Sequence, residues 1–204
     1  MSQFLPAQEQ DQPKRLRFDL TPLLGYRTSI TFTGQPGMEG VTLPRVVLEA
    51  SPSYGFAFGV RLDEEDLIEF RWTRQDTQTH VQGAVVVPST PQVTLDQFHG
   101  DFTHEYILEP WQGRTRVFIM ASVGGTHVSG SADTSSFTRF SFGIGGGFKI
   151  FPNRHLGFRI QAEWLPVWVN PEVNAFICGA GCVIRLGGTL SSQGDVSLGP
   201  ELRF

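Results

Sequence analysis

"SFTRFSFGIGGGFKI-FPNRH-LGFRIQAEWLPVW", residues 136–150, 151–155 and 156–168, decides the fold of this chain. In the first segment Phe140, Phe142, Ile144, Phe148 and Ile150 take every second position. They oppose Arg139, Ser141, Gly143, Gly145, Gly147 and Lys149. In the last segment Leu156, Phe158, Ile160, Ala162, Trp164 and Trp168 alternate in the same way against Arg159, Gln161 and Glu163. A period of two is the signature of a strand with two unlike faces. The turn-rich "FPNRH" between them joins the two strands antiparallel.

The same division recurs along the chain. In "LRFDLTPLLGYRTSITF" (16–32), Phe18, Leu20, Leu24, Tyr26 and Ile30 oppose Arg17, Asp19, Thr21, Arg27 and Ser29. In the last residues Val196, Leu198, Pro200, Leu202 and Phe204 oppose Gln193, Asp195, Ser197, Glu201 and Arg203. "SYGFAFGVRL", "LIEFRWTRQ", "TLDQFHGDFTHEYIL" and "RTRVFIMASVGGTHV" also alternate, which brings the strand segments to eight. Helical spacing is almost absent, so the chain is all-β.

Composition fits finely interleaved strands. Of the 204 residues 40% are hydrophobic and 17 are phenylalanine, but only 18% are charged. The mean hydropathy is nevertheless −0.11. No apolar run approaches the roughly 20 residues of a membrane helix. A net charge of −4 provides no basic patch for nucleic acid, so no nucleic-acid partner is expected. "MSQFLPAQEQDQPKR" reads as a polar tail over residues 1–15, without the apolar core of an export signal. If the protein is exported, its signal is expected to be missing from this chain. Residues 16–204 are expected to form one domain, since no linker-like change of composition divides them.

Strand length and connections separate a soluble barrel from a membrane barrel. The segments run to about ten residues or more, enough for a tilted strand to cross a bilayer and longer than the usual soluble strand. Short turns at Asp63–Asp66, Pro110–Gly113 and Phe151–His155 alternate with longer connections at 34–52, 80–93, 129–136 and 170–187. That is the outer-membrane layout. Face assignment follows from volume. Phe58, Phe70, Trp72, Phe102, Tyr106, Phe142, Trp164 and Trp168 together exceed what an eight-stranded bore can hold, so the aromatics face outward. The interior then receives Arg17, Arg27, Arg61, Arg71, Arg116, Arg139, Lys149, Arg159 and Arg203 with Asp19, Glu69, Asp101, Glu105, Glu163, Asp195 and Glu201. Such a nearly balanced set can be buried if it is paired. Inward Gly55, Ala57, Gly59, Gly143, Gly145 and Gly147 leave room for long arginines. The expected fold is an eight-stranded antiparallel transmembrane β-barrel with short periplasmic turns and longer extracellular loops.

With "LTPLLGYR", "SPSYGFAFGVRL", "EFRWTRQDT", "GIGGGFKIFPNRHLGFR" and the terminal "GPELRF", the chain resembles the small OmpA/OmpW-like outer-membrane barrels of bacteria over residues 16–204. The resemblance implies a Gram-negative outer membrane with lipids and lipopolysaccharide around the barrel. It also implies recognition of the last strand by the barrel assembly machinery, with the signal mapping onto Leu198, Gly199, Leu202 and Phe204. Pro200 cannot donate to a ladder and is expected to introduce a bulge.

Cys178 and Cys182, in "CGAGC", are expected to form a disulfide in an exported loop, and no metal or cofactor is expected. For function the charge-filled bore favours a structural, adhesion or partner-docking role, with protein partners meeting the extracellular loops. The alternative is an OmpW-like passive channel for small or apolar solutes. A weaker alternative comes from "THVSGS", where His127 and Ser129 share the outward face near the extracellular rim, as the histidine and serine do in the lipid A deacylases that this resembles. A nucleophilic serine also needs an oriented acid. The following strand, beginning "SSFTRF", presents none outward, and Asp133 lies in the loop, so no catalysis is expected. His99, Asp101 and Glu105 share the inward face, where charge pairing accounts for them.

Overall fold

The computed structural model describes residues 17–33, 45–82, 92–108, 114–130, 136–168, 174–178, 182–185 and 190–204. The polar tail at 1–15 lies outside them. The strands are β1 (Arg17–Arg27), β2 (Ile30–Thr33), β3 (Arg45–Leu48), β4 (Ser51–Arg61), β5 (Asp66–Gln82) and β6 (Gln92–Ile107). They continue as β7 (Thr115–Gly130), β8 (Phe137–Ile150), β9 (Leu156–Trp168), β10 (Asn174–Cys178), β11 (Cys182–Arg185) and β12 (Leu190–Arg203). β1 with β2, and β3 with β4, are single barrel staves in two pieces, so the closed wall has the eight staves expected; β10 and β11 form a separate two-stranded ribbon.

All neighbouring staves are antiparallel, and β12 closes on β1. Following Cα partners around the wall, Arg27 leads to Asp195, Glu163, Gly145, Met120, Thr103, Leu67, Arg61 and finally Arg17. One circuit therefore returns to β1 ten residues lower, which is the stagger that tilts the staves and fixes the bore. The bore is narrow enough for side chains to fill.

The short turns have local causes. The Asp63 carboxylate accepts the amides of Glu65 and Asp66 at 2.8 and 2.7 Å, and the Asn153 side chain accepts those of His155 and Leu156 at 3.0 and 2.7 Å. Side-chain acceptors two and three residues upstream mimic a backbone turn and need no long loop.

Outward residues form the expected apolar belt. Leu24, Phe70, Phe102, Ile144, Phe158 and Leu198 are 48–66% exposed, while inward Asp19, Glu69, Arg71, Lys149 and Glu201 are buried. Such a belt over a polar core is stable in lipid and not in water. Ile30 departs from the expected phase. It is buried, as is Arg27 three residues earlier, so the face switches at Thr28–Ser29 and carries Ile30 into the bore. β3 and β4 show why: Ser53 pairs with Gln75 but Leu48 with Thr79, which places one extra residue on the β3–β4 side as a bulge. Pro200 also behaves differently from expectation. The β12–β9 register runs through it unbroken. On the other side the β1–β12 ladder keeps its register but lapses between Leu20–Leu202 and Leu24–Leu198, so two strands meet there with Pro22 and Pro200 both lacking an N–H. The result is a gap in pairing and not a bulge. Gly199 is required at this seam, since a Cβ on it would strike the Pro22 carbonyl oxygen.

Candidate functional site: the ion-paired bore and the outer rim

Seven cations and seven carboxylates pair inside the barrel, in four levels. At the turn end Arg61 binds Asp19 at 2.8 Å and Glu105 at 3.0 Å. Lys149 joins Glu105 and Glu201 at 2.6 and 3.0 Å, Arg116 reaches Glu105 at 2.8 Å, and Arg203 holds Asp19 and Glu201 at 3.2 and 3.3 Å. Just above, Arg159 meets Glu69 at 2.5 Å, and Thr103 donates to the same carboxylate at 3.0 Å. At mid-height Arg71 binds Asp101 at 2.8 Å and grips Glu163 with both terminal nitrogens; Ser122 donates to Glu163 at 2.7 Å. At the top of the charged region Arg27 binds Asp195 at 2.8 Å and donates to Thr73 at 2.5 Å. Pairing at this density is what makes burial of charge tolerable.

Two residues expected in this network stand outside it. Arg17, the first residue of β1, is exposed at the turn end. Arg139 is half-buried at the opposite end, donates to the Thr138 carbonyl at 2.8 Å and lies over the Phe137 ring, and no ion pair reaches it among the described residues. The remaining charges are equal in number, so the interior is closer to neutrality than the sequence suggested.

Sequence reading missed two inward aromatics. Phe118 lies between Arg159 and Lys149, whose charged groups stand 4.8 and 5.3 Å from its ring centre. Phe151 caps the turn end under Arg203 and Arg116. An arginine over an aromatic face is attracted by the ring quadrupole and loses less on leaving water. The alternation of β7, which puts Phe118 in phase with Met120 and Ser122, was the available signal. Gly143 serves the network differently from the expectation of room for an arginine: a Cβ there would collide with the Glu163 carboxylate and the Ser122 hydroxyl.

Above the ion pairs the described inward side chains are uncharged apart from Arg139. His99 hydrogen-bonds Ser141 at 2.9 Å, and Thr126 donates to the same hydroxyl at 3.0 Å. Gln193 donates to Gln75 at 3.3 Å, and Ile30, Leu95, Leu165 and Val167 are buried at this end. His99, Asp101 and Glu105 are all inward as expected, but Asp101 and Glu105 are spent on arginines and lysine. No group of three metal-ligating side chains occurs among the described residues.

On the outer rim, β7 runs to Gly130, so Ser129 belongs to the strand. His127 bonds Thr138 of β8 at 2.9 Å through Nδ1. Its other cross-strand partner is Asp96 of β6, an acid the sequence reading did not consider because it looked only to the following strand. Ser129 pairs with Thr94, and no hydrogen bond joins Ser129 to His127 among the described residues. Cys178 and Cys182 are Cα partners across the ribbon; their side chains, and with them the expected disulfide, lie outside the described residues. Of the terminal signal residues, Leu198, Leu202 and Phe204 face outward and Gly199 inward, with Phe204 joined to Phe18 by a pair of backbone hydrogen bonds at 2.9 and 3.3 Å.

No protein-family model matches the chain, and no curated protein matches it in sequence. Solved structures do match in fold. The outer membrane protein OprG from Pseudomonas aeruginosa aligns at 9% identity with a TM-score of 0.62, over 92% of this chain and 95% of OprG. Neisserial surface protein A aligns at 10% identity and a TM-score of 0.58, over 92% of this chain and 97% of its own. The outer membrane protein AlkL, solved in lipid bilayers, aligns at 13% and 0.53, over 100% and 97%. The fold is that of the small eight-stranded outer-membrane barrels.

Proposed function

We propose that this chain is a closed outer-membrane barrel, a non-catalytic anchor that presents its extracellular loops to partners. The carrying observation is the bore itself, crossed at four levels by paired charges, with Arg71, Lys149, Arg159 and Glu105 buried. A water-filled path would have to pass between groups that hold one another at hydrogen-bond distance. In this reading lipids and lipopolysaccharide surround the belt, the assembly machinery engages the β12 end, and protein partners meet the loops. The test is planar-bilayer recording of the purified barrel. Little conductance is expected; stable stepwise current from the unmodified protein would overturn the reading.

A second reading is favoured by the apolar side chains of the upper bore, where Ile30, Leu95, Leu165 and Val167 face inward. These residues suit entry of a small apolar solute, as in an OmpW-like channel. Liposome uptake of an uncharged apolar solute, faster with the barrel than without it, supports that reading and not the first.

A further inference from the structure

On β5 the outward face changes abruptly. Ile68, Phe70 and Trp72 give way to Arg74, Asp76, Gln78 and His80. The neighbouring staves change in register. Cα partners carry Arg74 to Asp96, then His127, then Thr138, and on the other side to Tyr54. The row below is Phe56, Trp72, Phe98, Gly125 and Phe140. A polar row thus runs beside an aromatic row across five staves, descending from Thr138 to Tyr54 with the stagger of the wall, and at Arg74 and Asp96 the outward face changes from apolar to polar, as it does where acyl chains end and lipid heads begin.

Arg74 stands between two carboxylates, Asp96 beside it in the row and Asp76 two positions further along β5. Arg74 Nε is 3.8 Å from Asp76 Oδ1 and 3.8 Å from Asp96 Oδ1, too far for a hydrogen bond to either. The guanidinium makes no hydrogen bond among the described residues and its side chain is 38% exposed. The two carboxylates are held by others: Thr94 donates to Asp76 at 2.6 Å and the Trp72 indole to Asp96 at 3.3 Å. A cation with its donor fork unused, fixed between two positioned carboxylates, matches neither a simple anion nor a simple cation. It matches a ligand that carries both charges a few ångströms apart.

We propose that this row seats the head of a zwitterionic amphiphile bearing a phosphate and a primary ammonium. The phosphate lies on the Arg74 guanidinium, which favours phosphate geometry through its planar fork. The ammonium lies against Asp96 and Asp76, to which it can donate three hydrogen bonds. The acyl chains run down over Trp72, Phe98 and Phe140. A phosphatidylglycerol satisfies Arg74 but offers the two carboxylates only neutral hydroxyls in place of an ammonium, so discrimination by head charge follows. The inference rests on the bilayer-spanning fold and not on whether the bore conducts.

The test is NMR of the full chain in phosphocholine micelles, following the Arg74 Nε–H and Trp72 indole resonances. Dihexanoyl phosphatidylethanolamine, dihexanoyl phosphatidylglycerol and free phosphoethanolamine are added in turn. Saturable shifts are expected with the ethanolamine lipid, at about tenfold lower concentration than with the glycerol lipid or the free head, the size of one partly exposed charge-assisted contact. Arg74→Gln should weaken the ethanolamine lipid about tenfold, read on the Trp72 indole. Asp96→Asn should narrow its advantage over the glycerol lipid. Heat-dependent gel mobility establishes that both variants are folded, and Arg154→Gln, in an exposed turn at the other end, should change nothing. Equal response to both lipids, equal response to the free head, or an undiminished response in Arg74→Gln overturns the proposal.

Discussion

Replacing Arg71 by methionine tests the energetics of the bore most sharply. Arg71 is 3% exposed and is the charged partner of two carboxylates, Asp101 at 2.8 Å and Glu163 in a two-pronged grip. Without it, Glu163 keeps one donor, Ser122 at 2.7 Å, and Asp101 loses its ion-pair partner. Breaking a buried pair from one side costs about 3–5 kcal/mol, because the remaining charge stays out of water. Two stranded carboxylates place Arg71→Met at the upper end of that range. Glu163→Gln should cost less, since Arg71 still holds Asp101. The double variant Arg71→Met with Glu163→Gln should recover part of the loss, as removing both partners of a buried pair is often close to neutral. Urea unfolding in lipid vesicles, followed by tryptophan fluorescence and heat-dependent gel mobility, measures all three. The reasoning fails if Arg71→Met lies within about 1 kcal/mol of the parent, or if the two single losses simply add.

Other outcomes follow from the same structure. Gly143→Ala should destabilise the barrel by about 1–3 kcal/mol in the same unfolding assay, because its Cβ would displace Glu163 or Ser122; an unchanged midpoint would mean the two side chains can move freely. Deleting Phe204 should reduce surface assembly severalfold while deleting residues 1–10 should not, since Phe204 is paired to Phe18 at the closing seam; equal display of the two truncations would refute this. The Cα pairing of Cys178 with Cys182 leads us to expect that native, unreduced protein resists thiol labelling until a reductant is added.

The sequence by itself determined the staves and their faces. A period of two in which Phe140, Ile144 and Phe148 oppose Ser141, Gly143 and Lys149 reads the same in any register, because successive side chains of a strand must point to opposite sides. Acceptors at Asp63 and Asn153 likewise act over two or three residues, so the short turns were legible. Pairing across the bore was not. Arg71 meets Glu163 across 92 positions of sequence and Arg27 meets Asp195 across 168, and those meetings depend on the ten-residue stagger that emerges only when the sheet closes. Alternation also assigned Ile30 to lipid and Arg17 to the interior, since it carries no information about a bulge or about where the wall ends. The polar row of Arg74, Asp96 and His127 belongs to the same class. Arg74 and Asp96 are unremarked on their own strands and His127 stands out only beside Ser129, so only lateral register places the three side by side next to the aromatic belt.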